Sequence, residues 1–139
     1  MRAAEMDELI EAHIKAESAG DTAGAVAVYT DDVVHDVVGS PTGPVKGKDA
    51  AHGFYEYLTQ NVTTEKMVPT HSYYGDDVCV IEHDATVTVD GEFLGVPGGG
   101  KRITFRLLHV WEFRDGLISR ENVWLDGGSI VVQLTANQS

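Results

Sequence analysis

Residues 103–125, ITFRLLHVWEFRDGLISRENVWL, carry the most decisive pattern in this chain. Ile103, Phe105, Leu107, His109, Trp111 and Phe113 alternate with Arg102, Thr104, Arg106 and Glu112, the period of two expected of a strand with one apolar face. Asp115-Gly116 is a hairpin turn, and Leu117 to Leu125 return as a second strand. His109 therefore points into apolar surroundings. Leu108, Val110, Ile118 and Trp124 are apolar on the opposite face, which a monomer would leave partly wet, so a homodimer is expected.

Working back from this hairpin, Val78 to Val89 read as another long strand, with Asp90-Gly91 as its turn. Cys79, Ile81, His83, Ala85, Val87 and Val89 share one face, so His83 is also inward. Strand character is expected from about Val68 onward. The first third differs. Met6, Leu9, Ile10, His13 and Ile14 follow the stripe spacing of a buried helix face, ended near Gly20, with His13 in its middle. Asp21 is a candidate cap for a short helix through Val26 and Tyr29. A third helix follows Lys48-Asp49, with Ala51, Phe54, Tyr55 and Leu58 on one side. Between these helices Val33-Val34-His35-Asp36-Val37-Val38 is a β-branched run ended by Gly39-Ser40-Pro41. Alternation alone does not choose which of His35 and Asp36 faces inward. Helices followed by hairpin-linked strands predict an α+β fold with an antiparallel sheet.

Composition narrows the function classes. The 139 residues make one domain, residues 1–139, and 42% are apolar, enough for a core. Ten Lys and Arg against 22 Asp and Glu give a net charge of −12, which repels nucleic acid and anionic lipid. No apolar run nears the roughly 20 residues of a spanning helix, and the N-terminus turns acidic where a signal peptide would turn apolar. A soluble, cytoplasmic protein is expected, with neither nucleic acid nor membrane as partner. The single cysteine, Cys79, excludes an intramolecular disulfide or a thiolate cluster within the chain.

Gly95-Val96-Pro97-Gly98-Gly99-Gly100-Lys101 fits the first seven positions of a phosphate-binding loop. Arg102 stands where Ser or Thr should follow, and a strand continues where a helix should, so the segment reads as a glycine-rich hairpin loop. Three histidines on separate elements, His13, His83 and His109, all face inward and each needs a polar partner. A shared polar cavity is the simplest common explanation. No His-x-x-x-His or similar spacing supports zinc, and neither metal nor cofactor is expected.

Tyr29-Thr30-Asp31-Asp32-Val33-Val34-His35-Asp36-Val37-Val38-Gly39-Ser40, followed by Gly47 and Phe54-Tyr55, resembles the corresponding stretch of bacterial Δ5-3-ketosteroid isomerases. Residues 108–118 and 121–126 are similar to the same superfamily, the nuclear-transport-factor-2-like proteins, and especially to its SnoaL-like polyketide-cyclase branch. The resemblance runs from about Leu9 to Leu134. It implies three N-terminal helices on a strongly curved, mixed, mainly antiparallel sheet, forming a cone with an internal pocket.

Carried over residue by residue, the resemblance implies Asp36 as catalytic base. His13 and His109 take the positions of the isomerase's two oxyanion donors, with Tyr29 and Tyr55 supporting them. His83, Glu121, Val123 and Leu125 fall on pocket positions, and Phe54 and Trp111 complete the expected substrate-binding set. Glu121 reads equally well as a pocket acid or an exposed edge charge. In the cyclase branch a pocket histidine matches His109, but its catalytic aspartate falls on Val123. The Asp-Arg-Asp site of limonene-epoxide hydrolases is not matched, because Arg102 and Arg106 face away from the histidines. The implied function is a small-molecule acid-base enzyme, an isomerase, cyclase or dehydratase acting on a hydrophobic carbonyl compound. A non-catalytic ligand-binding or dimerising module is the alternative.

Overall fold

The computed structural model describes residues 1–40 and 42–136. Helices α1 (Ala3–Ser18) and α2 (Thr22–Ala27) precede strand β1 (Tyr29–Val38) and the short β2 (Val45–Lys46). Helix α3 (Lys48–Asn61) leads into β3 (Val62–Gly75) and β4 (Val78–Val89). The small β5 (Glu92–Phe93) and β6 (Val96–Pro97) come next, then β7 (Lys101–Arg114), β8 (Leu117–Leu125) and helix α4 (Gly127–Thr135). The main sheet has the order β2-β1-β8-β7-β4-β3, is curved, and is antiparallel except where β1 runs parallel to β8. The α+β cone inferred from the resemblance is this architecture.

The helical stripe of α1 buries Met6, Ile10 and His13, and Gly20 beyond it takes φ +74°, a left-handed geometry open to glycine at low cost. Asp21 caps α2, its carboxylate accepting from the Gly24 amide at 2.9 Å. Two buried clusters result. One joins Met6, Ile10, Tyr29, Tyr55, Trp111 and Ile118 between the helices and one end of the sheet. The other, with Val37, Ala85, Phe105, Leu107, Ile130 and Leu134, lies further along the concave face.

Several expectations need correction. Tyr29 opens β1 instead of continuing α2, since the helix ends at Ala27 and the β-branched run behind it extends backward. Strand β3 starts at Val62, before Val68, by pairing with β4 from Val89. Asp90-Gly91 does not join β4 directly to β7 but enters the β5-β6 hairpin. Ile118 is fully buried, not on the outer face: pairing shifts from Glu112↔Arg120 to Phe113↔Ile118, so Ser119 forms a bulge that reverses parity.

The glycine-rich segment, read as a loop, carries the short strand β6 before it turns through Gly98–Gly100 into β7. A Cβ on Gly98 would lie 2.2 Å from the Val89 carbonyl oxygen, so the glycine is needed for close strand approach. Lys101 donates to the carbonyls of Leu134 and Ala136 and thereby closes α4, a helix that the strand-rich C-terminal pattern had hidden. Pro41, part of the sequence signal ending β1, lies outside the described residues. Among the described residues, no helix is long and apolar enough to cross a membrane.

Candidate active site

The concave face of the sheet encloses a cavity of about 510 Å³. Its walls are apolar, with Val37, Phe54, Phe105, Leu107, Val123 and Leu125 among them. Polar side chains gather where the cavity meets the helix-side cluster: Glu17, His35, Tyr55, His109 and Glu121. A mostly apolar cleft with a few convergent polar groups is the usual form of a small-molecule site.

Glu121 is the centre of this polar group. It is 2% exposed, accepts the Tyr29 hydroxyl on Oε1 at 2.5 Å and accepts the Tyr55 hydroxyl on Oε2 at 3.1 Å. The Nε2 atoms of His13, His35 and His109 lie 3.4, 3.6 and 3.5 Å from its oxygens. Burial opposes its charge, yet His13, then His35 and His109, hold the carboxyl well below the usual carboxylate range. Burial, reinforced by Glu121, raises the Tyr29 and Tyr55 hydroxyls well above the ordinary tyrosine value, so both remain donors.

Tyr55 is shared by more groups than one hydroxyl hydrogen can serve. Its oxygen lies 3.0 Å from the Tyr29 hydroxyl, 3.0 Å from His35 Nε2, 3.1 Å from His13 Nε2 and 3.1 Å from Glu121 Oε2. His13 Nδ1 faces the Ala25 carbonyl at 2.6 Å, and a carbonyl only accepts, so that nitrogen carries a hydrogen. Turning the Tyr55 hydroxyl is then enough to redistribute hydrogen bonds between His13 and His35.

Glu17, at the end of α1, lines the same cavity and lies 3.5 Å from His13 Nε2. Burial pushes its carboxyl up to about 7, with Glu121 adding to the shift and His13 opposing it. Thus His13 stands between two carboxyls driven in opposite directions. His109 stacks on Trp111 at 4.8 Å, meets the edge of His83 at 5.6 Å, and is pushed by burial down to about 3 despite Glu121. It is neutral at ordinary pH. Its Nδ1 and that of His83 are buried without partners among the described residues, and burial lowers His83 as well.

Asp36 is not in this group. It occupies the other face of β1, with Arg120 Nη2 at 3.9 Å, while its neighbour His35 turns inward. The expectation that Asp36 shares a cavity with His13 and His109 is corrected: pairing of β1 with β8 puts His35 in register with Glu121 and Asp36 with Asn122. His13, His83, Tyr29 and Trp111 are buried behind the cavity, whereas Phe54, Tyr55, His109, Glu121, Val123 and Leu125 line it. Sequence reading missed Glu17 and set His35 aside. Glu17 follows His13 by one helical turn, so its place on the stripe was legible; its depth was not.

Residues 10–121, most of the chain, match the SnoaL-like domain. The chain belongs to the SnoaL-like family. A Silicibacter protein provisionally named a polyketide cyclase superposes with a TM-score of 0.80 at 22% identity, covering 94% of this chain and 96% of that one. A Rhodopseudomonas palustris protein provisionally named an isomerase gives 0.80 at 17% identity, covering 96% and 97%. An LEH-like epoxide hydrolase of M. tuberculosis gives 0.74 at 18%, covering 94% and 90%. At these identities the likeness is one of fold. No curated protein sequence matches the chain. Among the described residues of this SnoaL-like protein, no three or more His, Cys, Asp or Glu side chains form a group able to hold a metal ion.

Proposed function

We propose that this SnoaL-like protein is a small-molecule acid-base enzyme, an isomerase, cyclase or dehydratase that removes a proton next to a carbonyl. The observation that carries this reading is the pair Glu17 and Glu121, two carboxyls at one cavity whose environments separate their acidities, with His13 between them. Such separation is how a single site assigns acid and base roles. It has little structural purpose, because a buried ionic cluster is seldom more stabilising than an apolar replacement.

In this mechanism Glu17, ionised about half the time near neutrality, accepts the α-proton. His35 and neutral His109 border the position of the developing enolate oxygen and donate to it. A preorganised donor of this kind is typically worth about 2.7–4 kcal/mol in the transition state. Glu121 stays ionised and orients the imidazoles. Return of the proton from Glu17 to another carbon completes an isomerisation; its transfer to a departing hydroxyl completes a dehydration; attack of the enolate on a second carbonyl closes a ring.

Internal satisfaction of Glu121 by Tyr29 and Tyr55 favours a second reading, a ligand-binding module. Epoxide hydrolysis by an Asp-Arg-Asp group has less support, since no arginine is among the cavity's described lining residues. Solvent-deuterium incorporation into a panel of apolar ketones, followed by NMR, separates the readings. Incorporation that falls by on the order of 10² or more in Glu17→Gln is expected of the enzyme. Tight binding across the panel without incorporation would establish the module.

A further inference from the structure

Outside the cavity, three side chains on helices α2 and α3 form a hydrogen-bonded chain with a direction. Thr22 opens α2, and His52 and Glu56 stand one turn apart on α3. His52 Nδ1 lies 2.8 Å from Glu56 Oε1, and His52 Nε2 lies 3.1 Å from Thr22 Oγ1. A carboxylate only accepts, so Nδ1 carries the hydrogen of the neutral ring. Nε2 is left with a lone pair facing the Thr22 hydroxyl, which donates to it. Hydroxyl to base and base to orienting carboxylate, each within about 2.6–3.2 Å, is the geometry that activates an oxygen nucleophile.

His71 offers a contrast within the same fold. It meets Thr70 at 3.3 Å and Glu82 at 3.7 Å through one nitrogen, Nδ1, so its ring has no hydroxyl on one side and carboxylate on the other. Tyr29 and Tyr55, in the buried cluster, hold their hydroxyl protons far too tightly to attack a carbonyl. Thr22 is only half-buried, and the side chains of His52 and Glu56 are 34% and 52% exposed. Gly53 adds room beside the imidazole, since a Cβ there would meet nothing within 4 Å. The net charge of −12 repels anionic acyl donors such as acyl phosphates, which leaves an uncharged activated ester as the class that fits.

We propose that Thr22, His52 and Glu56 form a second reactive site, which takes the acyl group of an uncharged activated ester onto Thr22 and passes it to water. Thr22 Oγ1 attacks the carbonyl carbon as His52 Nε2 takes the hydroxyl proton. The bond to the leaving oxygen breaks and His52 gives that oxygen the proton, which releases an alcohol and leaves an ester on Thr22. Water then attacks the same carbonyl carbon while His52 Nε2 removes its proton. The bond to Oγ1 breaks, the proton passes to Oγ1, and a carboxylic acid departs. Glu56 is a positioning residue that holds the ring in the required tautomer. None of the three is among the cavity's described lining residues, so this site and the proton-transfer reading stand or fall separately.

p-Nitrophenyl acetate tests it on the intact protein at about pH 7.5. Release of p-nitrophenol is followed by absorbance, the first turnover is quenched with acid, and acetyl groups are located by peptide fragmentation in a mass spectrometer. An acetyl group is expected on Thr22. Thr22→Val and His52→Gln should each lower release at least about tenfold, whereas Thr22→Ser should keep it, with acetylation still at position 22. Glu56→Ala should lower kcat at least about fivefold with KM unchanged, because Glu56 orients the base without touching the ester. A purely structural tie between α2 and α3 would lower the urea midpoint of these variants and leave release unchanged. Parental release in Thr22→Val, or acetylation confined to lysines and histidines, would overturn the proposal. Should the valine variant not fold, the acetyl map of the unaltered protein decides the question.

Discussion

His35 and Asp36 are adjacent in the chain and lie on opposite faces of β1: His35 is 1% exposed with Nε2 3.0 Å from the Tyr55 hydroxyl, and Asp36 faces Arg120 across the sheet's outer side. One position of register thus separates a residue of the buried cluster from a half-buried ion pair on the opposite face. Asp36→Asn should leave ketone deuterium exchange within about twofold of the parent, since neither Asp36 nor its partner Arg120 lines the cavity. His35→Ala should lower it by about 10² or more, as expected for a donor at the reacting oxygen. Loss of exchange in Asp36→Asn alone would reverse this assignment.

Glu17 links activity to pH. Its folded acidity near 7 lies above the ordinary 4.5, so the folded state holds this proton more tightly than the unfolded chain. The stability it contributes is fully present below about pH 4.5 and is lost as pH rises through 7, roughly 3 kcal/mol by linkage. His109, depressed to about 3, acts in the opposite sense between pH 3 and 6.5, so only the difference between variants isolates Glu17. Urea melts of Glu17→Gln and parent should diverge with rising pH, the variant becoming relatively more stable and levelling off above about pH 7.5. Parallel profiles would mean that Glu17 titrates as an ordinary carboxylate.

Tyr55 joins α3 to both α1 and β8 through its hydroxyl. Tyr55→Phe keeps the ring but leaves Glu121, His13 and His35 each short of a partner. A loss of about 2–4 kcal/mol is expected, since more than one buried group is left unsatisfied. The check is the midpoint of urea unfolding at unchanged slope. A cost below about 0.5 kcal/mol would show that water replaces the hydroxyl.

The outer sheet face carries Leu108, Val110 and Trp124, the last 43% exposed. A second copy of the chain covering this face is the expected arrangement. Light scattering on a sizing column should give a dimer of the 15.0 kDa chain, and Trp124→Arg should convert it to monomer. A monomeric parent protein would remove that expectation.

Much of the fold was legible because periodicity is a local property. The 103–125 hairpin, the 78–89 strand and the first-helix stripe each write their buried face in alternate or helical spacing, and His13, His83 and His109 followed from it. Ile118 was misread because a single bulge at Ser119 inverts parity, and no local signal in Leu117-Ile118-Ser119 announces it. Helix α4 was missed because Ile130-Val131-Val132 is β-branched; the Asp126 cap and the Gln133 contacts to the Thr104 backbone hold it as a helix.

From the amino-acid sequence follow the acidic charge balance, the order of most helices and long strands, and three histidines turned inward. Those conclusions need only the repeat of side chains along one element. Which of His35 and Asp36 enters the cavity, whether Glu121 is buried, and how far Glu17 is desolvated were decided by the tertiary structure. Each depends on pairing between residues some 85 to 105 positions apart: β1 lying parallel to β8 places His35 beside Glu121, and α1 closing over β8 brings Glu17 to the same cavity. Register and dielectric environment are properties of that assembly, and the cluster's acid-base chemistry follows from them.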